Sequence, residues 1–395
     1  LQDSDTAAGV RDKLEAGVGL ALGDGGGDQE EQVALRAHHI GHLVGFEVGD
    51  RPRPAGLQDD PQRFRKQALA HLAGYFRGMA AQLPVLVLLE DLHWADDSSL
   101  DALNHLALAL VDQPVMIVSA ARPELYQRRP HWGEGHGFHR RLVLEPLSKW
   151  ESRGLVAEIL QRVDQMPDAL RDLIVAGAEG NPFFIEELVK MLVEDGVILK
   201  GEDQWRVVPS RLDDVRVPPS LTGVLQARVD RLPPEERTVL QQASVVGRLF
   251  WDRAVARING SVMEGTGESA VQDRLSALRD REMVFQRETS AFAEAQEYIF
   301  KHALLREVTY DSVLKRLRRA YHGLVADWML EQAGERAEEY TGLIADHLEL
   351  AGRSEEAVDY LLEAGDRARG LYAHREAEGY YQRALRFLEQ RGQHE

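Results

Sequence analysis

The sequence predicts a predominantly helical chain that opens on a parallel α/β region and closes on helical repeats. Three observations carry that expectation. Two short apolar runs, "PVLVLL" at 84–89 and "PVMIVSA" at 114–120, flank a helical pattern within some thirty-five residues, the spacing of a βαβ unit. From about residue 148 onward, helical periodicity dominates. Near the end, "EEAVDYLLEAG" and "REAEGYYQRAL" repeat Ala and Tyr at helical spacing with an offset of about twenty residues, the pattern of tetratricopeptide-like helical pairs.

The elements follow in order. Residues 10–22 and 29–45 read as helices separated by "GDGGGD". Residues 61–82 carry apolar residues at helical spacing, with Pro61 suited to a first turn. "PVLVLL" shows no alternation, so it is expected to be a strand buried on both faces. A helix at about 98–111 is expected to take Ser98 or Ser99 as its N-cap. After "PVMIVSA", a third short strand, "RLVLEPL", is expected at 141–147. Residues 148–162, 168–177 and 182–195 read as helices, and "GVILKGEDQWRVV" as a small hairpin with Gly201 in its turn. "VRVPPS" at 215–220 is a linker and helix start. Residues 219–300 read as four helices followed by two strands, "MVFQRE" and "EYIF", which is the pattern of a winged helix. After 301 the chain is helical to its end.

Composition narrows the function classes. A length of 395 residues suggests two to four domains, and 44% hydrophobic with 28% charged residues is ordinary for a globular chain with sizeable cores. A net charge of −18 argues against a chain built mainly to grip a nucleic-acid backbone or anionic lipid. With no cysteine, disulfides, thiolate catalysis and Cys-ligated zinc are excluded, and a reducing, cytoplasmic setting fits. No apolar run approaches the length of a membrane span, and no signal peptide is recognisable. The chain opens on "LQDSDTAAGV" rather than on Met, which reads as a fragment.

Chemistry concentrates at "LPVLVLLEDLHWADD", residues 83–97. A buried strand ending in acids puts those acids at the carboxyl edge of a sheet, where open α/β sheets bind ligands. In nucleotide hydrolases one such acid holds Mg²⁺ and a neighbour orients the attacking water, and Glu90 and Asp91 stand at that place. Against this stands the plain reading that acids follow a strand as the chain leaves the core. Arg122, after the next strand, is a guanidinium at the same edge or simply a surface Arg at a loop start. "GAEGNPFFIEELVKMLVEDGVI" is a capped helix whose Gly-Asn-Pro turn, with Asn181 and Pro182, is also suited to lie over a nucleotide base. "HWGEGHGFHRR" holds three His in nine residues, but its glycines and spacing favour a plain loop over a metal site. "LKRLRRAYH" is basic and helical, which on an acidic chain reads as a solvated face. A phosphate-binding loop needs G-x-x-x-x-G-K-[ST], and this sequence contains none.

Five stretches, in chain order, carry a family resemblance: "VLLEDLHWADDSSLDALNHLA", "SAARPELYQRRPHWGEG", "AEGNPFFIEELVKMLVEDGVI", "VPPSLTGVLQARVDRLPPEERTVLQQASVVGRLFW" and "YIFKHALLREVTYDSVLKRLRRAYH". Together they resemble the ATPase-plus-repeat region of AAA-like signal-transduction ATPases with numerous domains (STAND). The resemblance is nearest to multidomain bacterial proteins of class III adenylate/guanylate cyclase type, and it covers essentially the whole chain. It implies a P-loop NTPase remnant with a parallel sheet at 1–147, a helical lid at 148–215, a winged helix at 216–300, a connector at 301–339 and repeats at 340–395. It implies ATP or ADP and Mg²⁺ as cofactors. Glu90 and Asp91 match the Walker B acids, with Glu90 where many relatives carry Asp, so the division of roles between them stays open. Arg122 matches the sensor position, and Asn181 and Pro182 match the turn that packs near adenine. His302 matches a position that contacts the β-phosphate of bound ADP, or is an ordinary helix-start His.

In that family the P-loop lies several tens of residues before the "KLEAGV" region, so the expectation is an N-terminal truncation or a degenerate ATPase kept as a scaffold. The chain alone is therefore not expected to turn over ATP. Expected partners are a nucleotide, proteins held by the repeats, an attached cyclase or other output domain, and further copies of the chain. The competing classes are a non-catalytic interaction scaffold and the ATPase core of a transcriptional regulator. Direct DNA binding is not expected, because "AVQDRLSALRDRE" is mixed in charge rather than a basic recognition helix.

Overall fold

The computed structural model describes residues 7–22, 28–44, 61–212, 215, 217–262, 268–292, 294–333, 340–370 and 373–392. The expected "GDGGGD" loop lies mostly, and the "VRVPPS" linker partly, outside the described residues. The chain divides into two compact units: Leu1–Arg140 with Thr289–Glu294 and Met329–Glu395, and Arg141–Glu288 with Ala295–Trp328.

The first unit begins with α1 (Ala7–Leu22), α2 (Asp28–Leu43) and α3 (Pro61–Gln82). Val10, Leu14 and Val18 recur every fourth residue on α1 and close on Ala37 and Ile40 of α2, with Leu72 and Tyr75 of α3 packed against them. Pro61 opens α3, where its missing N–H would have no helical partner anyway. Then come β1 (Val85–Leu89), a 3-10 turn (Leu92–Trp94), α4 (Asp97–Ala109), β2 (Val115–Ser119) and the short α5 (Glu124–Arg128). The strands pair in parallel from Val85↔Val115 to Leu89↔Ser119, so the βαβ unit forms as the sequence implied. Ala73, Leu106 and Leu110 bury the junction of α3 and α4.

Three expectations need correction here. β1 is not buried on both faces: Leu86 and Leu88 are 66% and 61% exposed, and their partners Met116 and Val118 are exposed too. The absent alternation is real, because both faces are apolar, but among the described residues only one face is covered. The N-cap of α4 is Asp96, not Ser98 or Ser99; its carboxylate accepts from the Ser99 backbone N–H at 2.7 Å and from the Ser99 hydroxyl at 2.6 Å. The third strand does not form: the 141–147 segment has no ladder partner, and Leu142 and Leu144 are exposed. Strand propensity without a partner leaves only an extended chain.

The second unit runs α6 (Lys149–Ile159), α7 (Asp168–Ala178), α8 (Pro182–Glu194), β3 (Ile198–Leu199), β4 (Arg206–Val207) and α9 (Pro209–Leu212). Ser148 and Glu151 form a reciprocal capping box at the start of α6. β3 and β4 make the expected hairpin, antiparallel with Ile198↔Val207. Val156, Leu170, Ile174, Ile185, Leu188 and Leu192 lie at the centre of one apolar core, each buried to within 0% of exposure. Next follow α10 (Leu221–Arg231), α11 (Pro234–Val246), β5 (Leu249–Trp251), α12 (Asp252–Val262), α13 (Glu268–Asp280), β6 (Val284–Gln286) and β7 (Glu297–Phe300). The four helices and two strands appear as expected, with one further strand, β5; the antiparallel order is β5-β7-β6. α14 (Ala303–Ser312) and α15 (Lys315–Ala333) follow, the latter belonging to this unit up to Trp328.

The chain closes in the first unit with α16 (Thr341–Ala351), α17 (Ser354–Gly370) and α18 (His374–Gly392). Small residues meet large ones between the helices: a Cβ on Gly365 would fall 2.6 Å from the Tyr381 ring, so only Gly lets α18 approach α17 this closely. Ala345, Ala357, Leu361 and Ala384 are buried along the same stack. Among the described residues no helix is long and apolar enough to cross a membrane.

Candidate functional site

The expected site residues fall into two groups, one in each unit. In the first unit the ladder carries Leu89 opposite Ser119, so Glu90, Asp91 and Arg122 all leave the parallel pair at its carboxyl edge. The bonds Ala120 N–H to Leu89 O (2.8 Å) and Leu92 N–H to Ala120 O (2.9 Å) extend the pairing past the strands and fix where that edge lies. Glu90 and Arg122 are exposed, and Asp91 is half-buried.

Asp91 departs from ordinary backbone geometry. Its φ of 53° and ψ of 33° are left-handed, a conformation that a non-glycine residue adopts at a cost and that Asp tolerates better than most. That kink starts the 3-10 turn, closed by Trp94 N–H to Asp91 O at 2.9 Å. The loop is anchored on both sides. Leu92 is buried with Leu100 and Leu125, and Arg128 donates to the Ala95 carbonyl. Between those anchors, both ring nitrogens of His93 are shielded from solvent without a hydrogen-bond partner. Further on, the Asp97 carboxylate is held by Arg129 at 3.3 Å and Arg128 at 3.8 Å, and it also pairs with Arg375 of α18.

In the second unit Asn181 and Pro182 are brought to His302. Gly180 has φ 82°, and a Cβ there would meet the Leu147 carbonyl at 2.4 Å, so the turn requires glycine. Asn181 is the N-cap of α8: its Oδ1 accepts from Phe183 N–H at 3.0 Å and Phe184 N–H at 3.3 Å. Pro182 takes the first helical position. The adjoining Phe183 ring lies 3.8 Å, centroid to centroid, from the His302 ring. Burial pushes His302 down to about 4; Glu187 pulls the other way, while Lys301, Lys190 and Arg248 push it further down. The ring is thus neutral at pH 7, and its shielded Nε2 has no hydrogen-bond partner.

Behind this pair lies a charge network. Arg228 is almost fully buried between Glu187 and Glu194, with its Nη2 at 2.7 Å from Glu194, and it also donates to the Arg281 carbonyl at 3.2 Å. Lys190 reaches Glu187 at 3.2 Å and Glu282 at 2.9 Å, and Lys301 reaches Glu282 at 2.8 Å. Hydrogen bonds from Lys301 and Lys190 hold the Glu282 carboxyl at about 2.

Two further motifs make local contacts. In the histidine-rich loop His131 sits 2.8 Å from Glu134, and among the described residues no three His, Asp or Glu side chains are gathered to hold a metal. In the basic run Arg318 is spent internally, on the Asp311 and Val313 carbonyls at 2.7 and 2.8 Å. The sequence reading passed over His93. Its only sequence signal was position, two residues beyond the second acid.

Comparison with known proteins adds three similarities. Residues 148–206, which run from the start of α6 to the hairpin, match a family described as "Domain of unknown function (DUF8739)". An uncharacterized protein of Rhizobium meliloti is 26% identical over 360 residues, covering 90% of this chain. The chain spans about a third (33%) of the length of that curated relative. A crystal structure of a signal transduction ATPase with numerous domains (STAND) protein with a tetratricopeptide repeat sensor, from Pyrococcus horikoshii, aligns with 13% identity and a TM-score of 0.45. The alignment covers 90% of this chain and 49% of that one.

Proposed function

We propose that this chain is the nucleotide-responsive segment of a STAND-type signal-transduction ATPase, coupling nucleotide state to an output domain such as a nucleotide cyclase. The observation that carries the reading is the carboxyl edge of the parallel β1–β2 pair, where Glu90, Asp91 and Arg122 emerge together. The residues present fit a hard divalent cation, since Mg²⁺ is commonly held by one or two carboxylates and otherwise by water and phosphate. On this reading Glu90 and Asp91 hold the cation, which would neutralise phosphate charge, and Arg122 offers a guanidinium to the terminal phosphate. Asn181 and Pro182 form the base-side turn, and the neutral His302 offers a ring N–H to the β-phosphate of ADP. The contact between Phe183 and His302 supports treating turn and histidine as one subsite.

The remaining parts fit the same reading. The four helices and three-stranded sheet from α10 to β7 are read as a winged helix, and α16–α18 as tetratricopeptide-like repeats that hold a protein partner. The exposed apolar face of β1 and β2 is what a parallel sheet buries under a layer of helices. Because the sequence has no phosphate-binding loop, the chain by itself is not a competent hydrolase. Calorimetric titration with Mg-ATP tests this, on this chain and on a form that carries G-x-x-x-x-G-K-[ST]. Tight binding by the loop-carrying form alone is expected, and binding by neither sinks the reading. The second reading, a scaffold that needs no nucleotide, rests on the repeats, where Leu350 and Leu385 remain exposed. It predicts that a partner is held equally with and without Mg-ATP.

A further inference from the structure

Three side chains of α8 share one face of the helix: Phe183, Glu187 and Lys190 stand at i, i+4 and i+7. Each meets a different part of the second unit. Phe183 lies 3.8 Å from His302 between ring centroids, Glu187 pairs with Arg228 of α10, and Lys190 reaches Glu282 at 2.9 Å. The Glu282 carboxylate also takes Lys301 at 2.8 Å, and Lys301 is the residue before His302. The segment 301–302 is therefore tied to one face of α8 twice. One tie is direct, through the imidazole, and the other runs through Glu282 and two lysines.

The backbone at Glu282 does not itself call for a glutamate. α13 ends in a Schellman turn: Met283 N–H donates to Leu278 O at 3.0 Å, and Glu282 N–H to Arg279 O at 2.8 Å. In that turn Glu282 takes the left-handed position, with φ 55°, which glycine fills without steric cost. The turn is also secured by Arg228, which donates to the Arg281 carbonyl at 3.2 Å, and by Lys301 N–H on the Met283 carbonyl at 3.0 Å. None of these bonds uses the carboxylate. What the carboxylate does is gather two lysines, whose hydrogen bonds hold it at about 2 and keep it ionised at neutral pH.

We infer that Glu282 is a positioning residue for the His302 subsite: by joining Lys190 to Lys301, it sets the imidazole against Phe183 at the turn that opens the same helix. Its bearing on nucleotide rests on the proposed reading of Asn181, Pro182 and His302. Lys190 has a second acid in Glu187, at 3.2 Å, so it stays on α8 with or without Glu282. Lys301 has Glu282 as its ion pair, so loss of the carboxylate loosens the residue next to His302. The imidazole has little of its own to hold it. His302 starts α14 without a side-chain cap bond, and its shielded Nε2 has no hydrogen-bond partner. Its place therefore follows from what holds its neighbours.

The test follows the His302 ring by nuclear magnetic resonance titration of the full chain, its signal assigned by its loss in His302→Gln. Burial sets the ring at about 4; Glu187 raises it, and Lys301, Lys190 and Arg248 lower it. The sign of the change separates two outcomes. With the ring still in place, loss of the Glu282 charge leaves two lysines less neutralised and pushes His302 lower. Release of the ring from burial moves it up, toward 6.5. Glu282→Gly is expected to raise the titration to about 5 or above, with Glu282→Gln in between, since an amide oxygen still accepts from one lysine. Glycine is at home at φ 55°, so Glu282→Gly reads a lost carboxylate and not a lost turn. An unchanged or lower titration in Glu282→Gly overturns the inference. On a form that carries a phosphate-binding loop, Glu282→Gly is also expected to weaken ADP binding about tenfold by calorimetry, because the competent arrangement becomes a minor one. A raised titration with unchanged ADP affinity leaves Glu282 as the positioning residue and sinks the nucleotide reading of the subsite.

Discussion

The lid turn with its charge network and the parallel pair with its acid loop are two ways of carrying polar chemistry. Around α8 nearly every buried charge is answered: Arg228 lies between two glutamates, and Glu282 receives two lysines. The apolar core beneath is closed on all sides, with Leu188 at 0% exposure. Around β1 the reverse holds. An apolar face stands in solvent, and both ring nitrogens of His93 are left unanswered, against one in His302. The first region gains most of its order from its own ion pairs and apolar core. The second has the unmet valences of a surface that works against something else.

The largest expected effect is at Arg228. Arg228→Ala leaves the buried Glu187 with Lys190 as its one remaining cationic partner and should destabilise the second unit by about 3–5 kcal/mol, read as a lower urea midpoint. The paired change Arg228→Met with Glu187→Leu should cost less than Arg228→Ala alone, because no lone charge remains buried. Next, Leu188→Ala should cost about 2–5 kcal/mol, whereas Leu88→Thr on the open face should stay within about 0.5 kcal/mol. Equal losses at the two leucines would mean that the face of β1 is covered after all.

Acid should sharpen the contrast. His302 prefers its neutral form in the fold, so the stability it contributes is whole above its ordinary value of 6.5 and is lost as pH falls from there through about 4. His39 in the first unit behaves alike: burial first, then His71, His38 and His42, push it down to about 4. Only the second unit adds Glu282, whose contribution is whole above 4.5 and is lost as pH falls through about 2. Melts between pH 8 and 3 should therefore show both units weakening from about pH 6.5, and the second still losing stability below pH 4. The smallest effect is at Asp91. Asn is equally at home in the left-handed region, so Asp91→Asn should change stability by less than about 0.5 kcal/mol while removing cation binding.

What the sequence made legible follows from what is local. α3 could be read because its apolar spacing and Pro61 agree. β1 and β2 could be read because short apolar runs around a helix have few other uses. The cap of α4 was misassigned because "DDSS" offers four good capping residues, and only backbone angles choose Asp96. The 141–147 strand failed because a ladder is not a local property, and β5 was missed because three residues carry no period. Glu90 and Asp91 were visible as acids ending an apolar run. The orphaned state of His93 was not, since it depends on what surrounds the ring in space. The contact that brings Phe183 to His302 joins residues over a hundred positions apart and likewise left no trace in spacing.

The most direct test of the account is hydrogen–deuterium exchange with and without Mg-ATP, on a form of the protein that carries a phosphate-binding loop. Nucleotide should slow exchange at two separate places, the acid loop at 90–95 and the turn at 180–184 with residues 301–303. Unchanged exchange at both, in a form that binds Mg-ATP by calorimetry, would contradict the claim that these residues read the nucleotide.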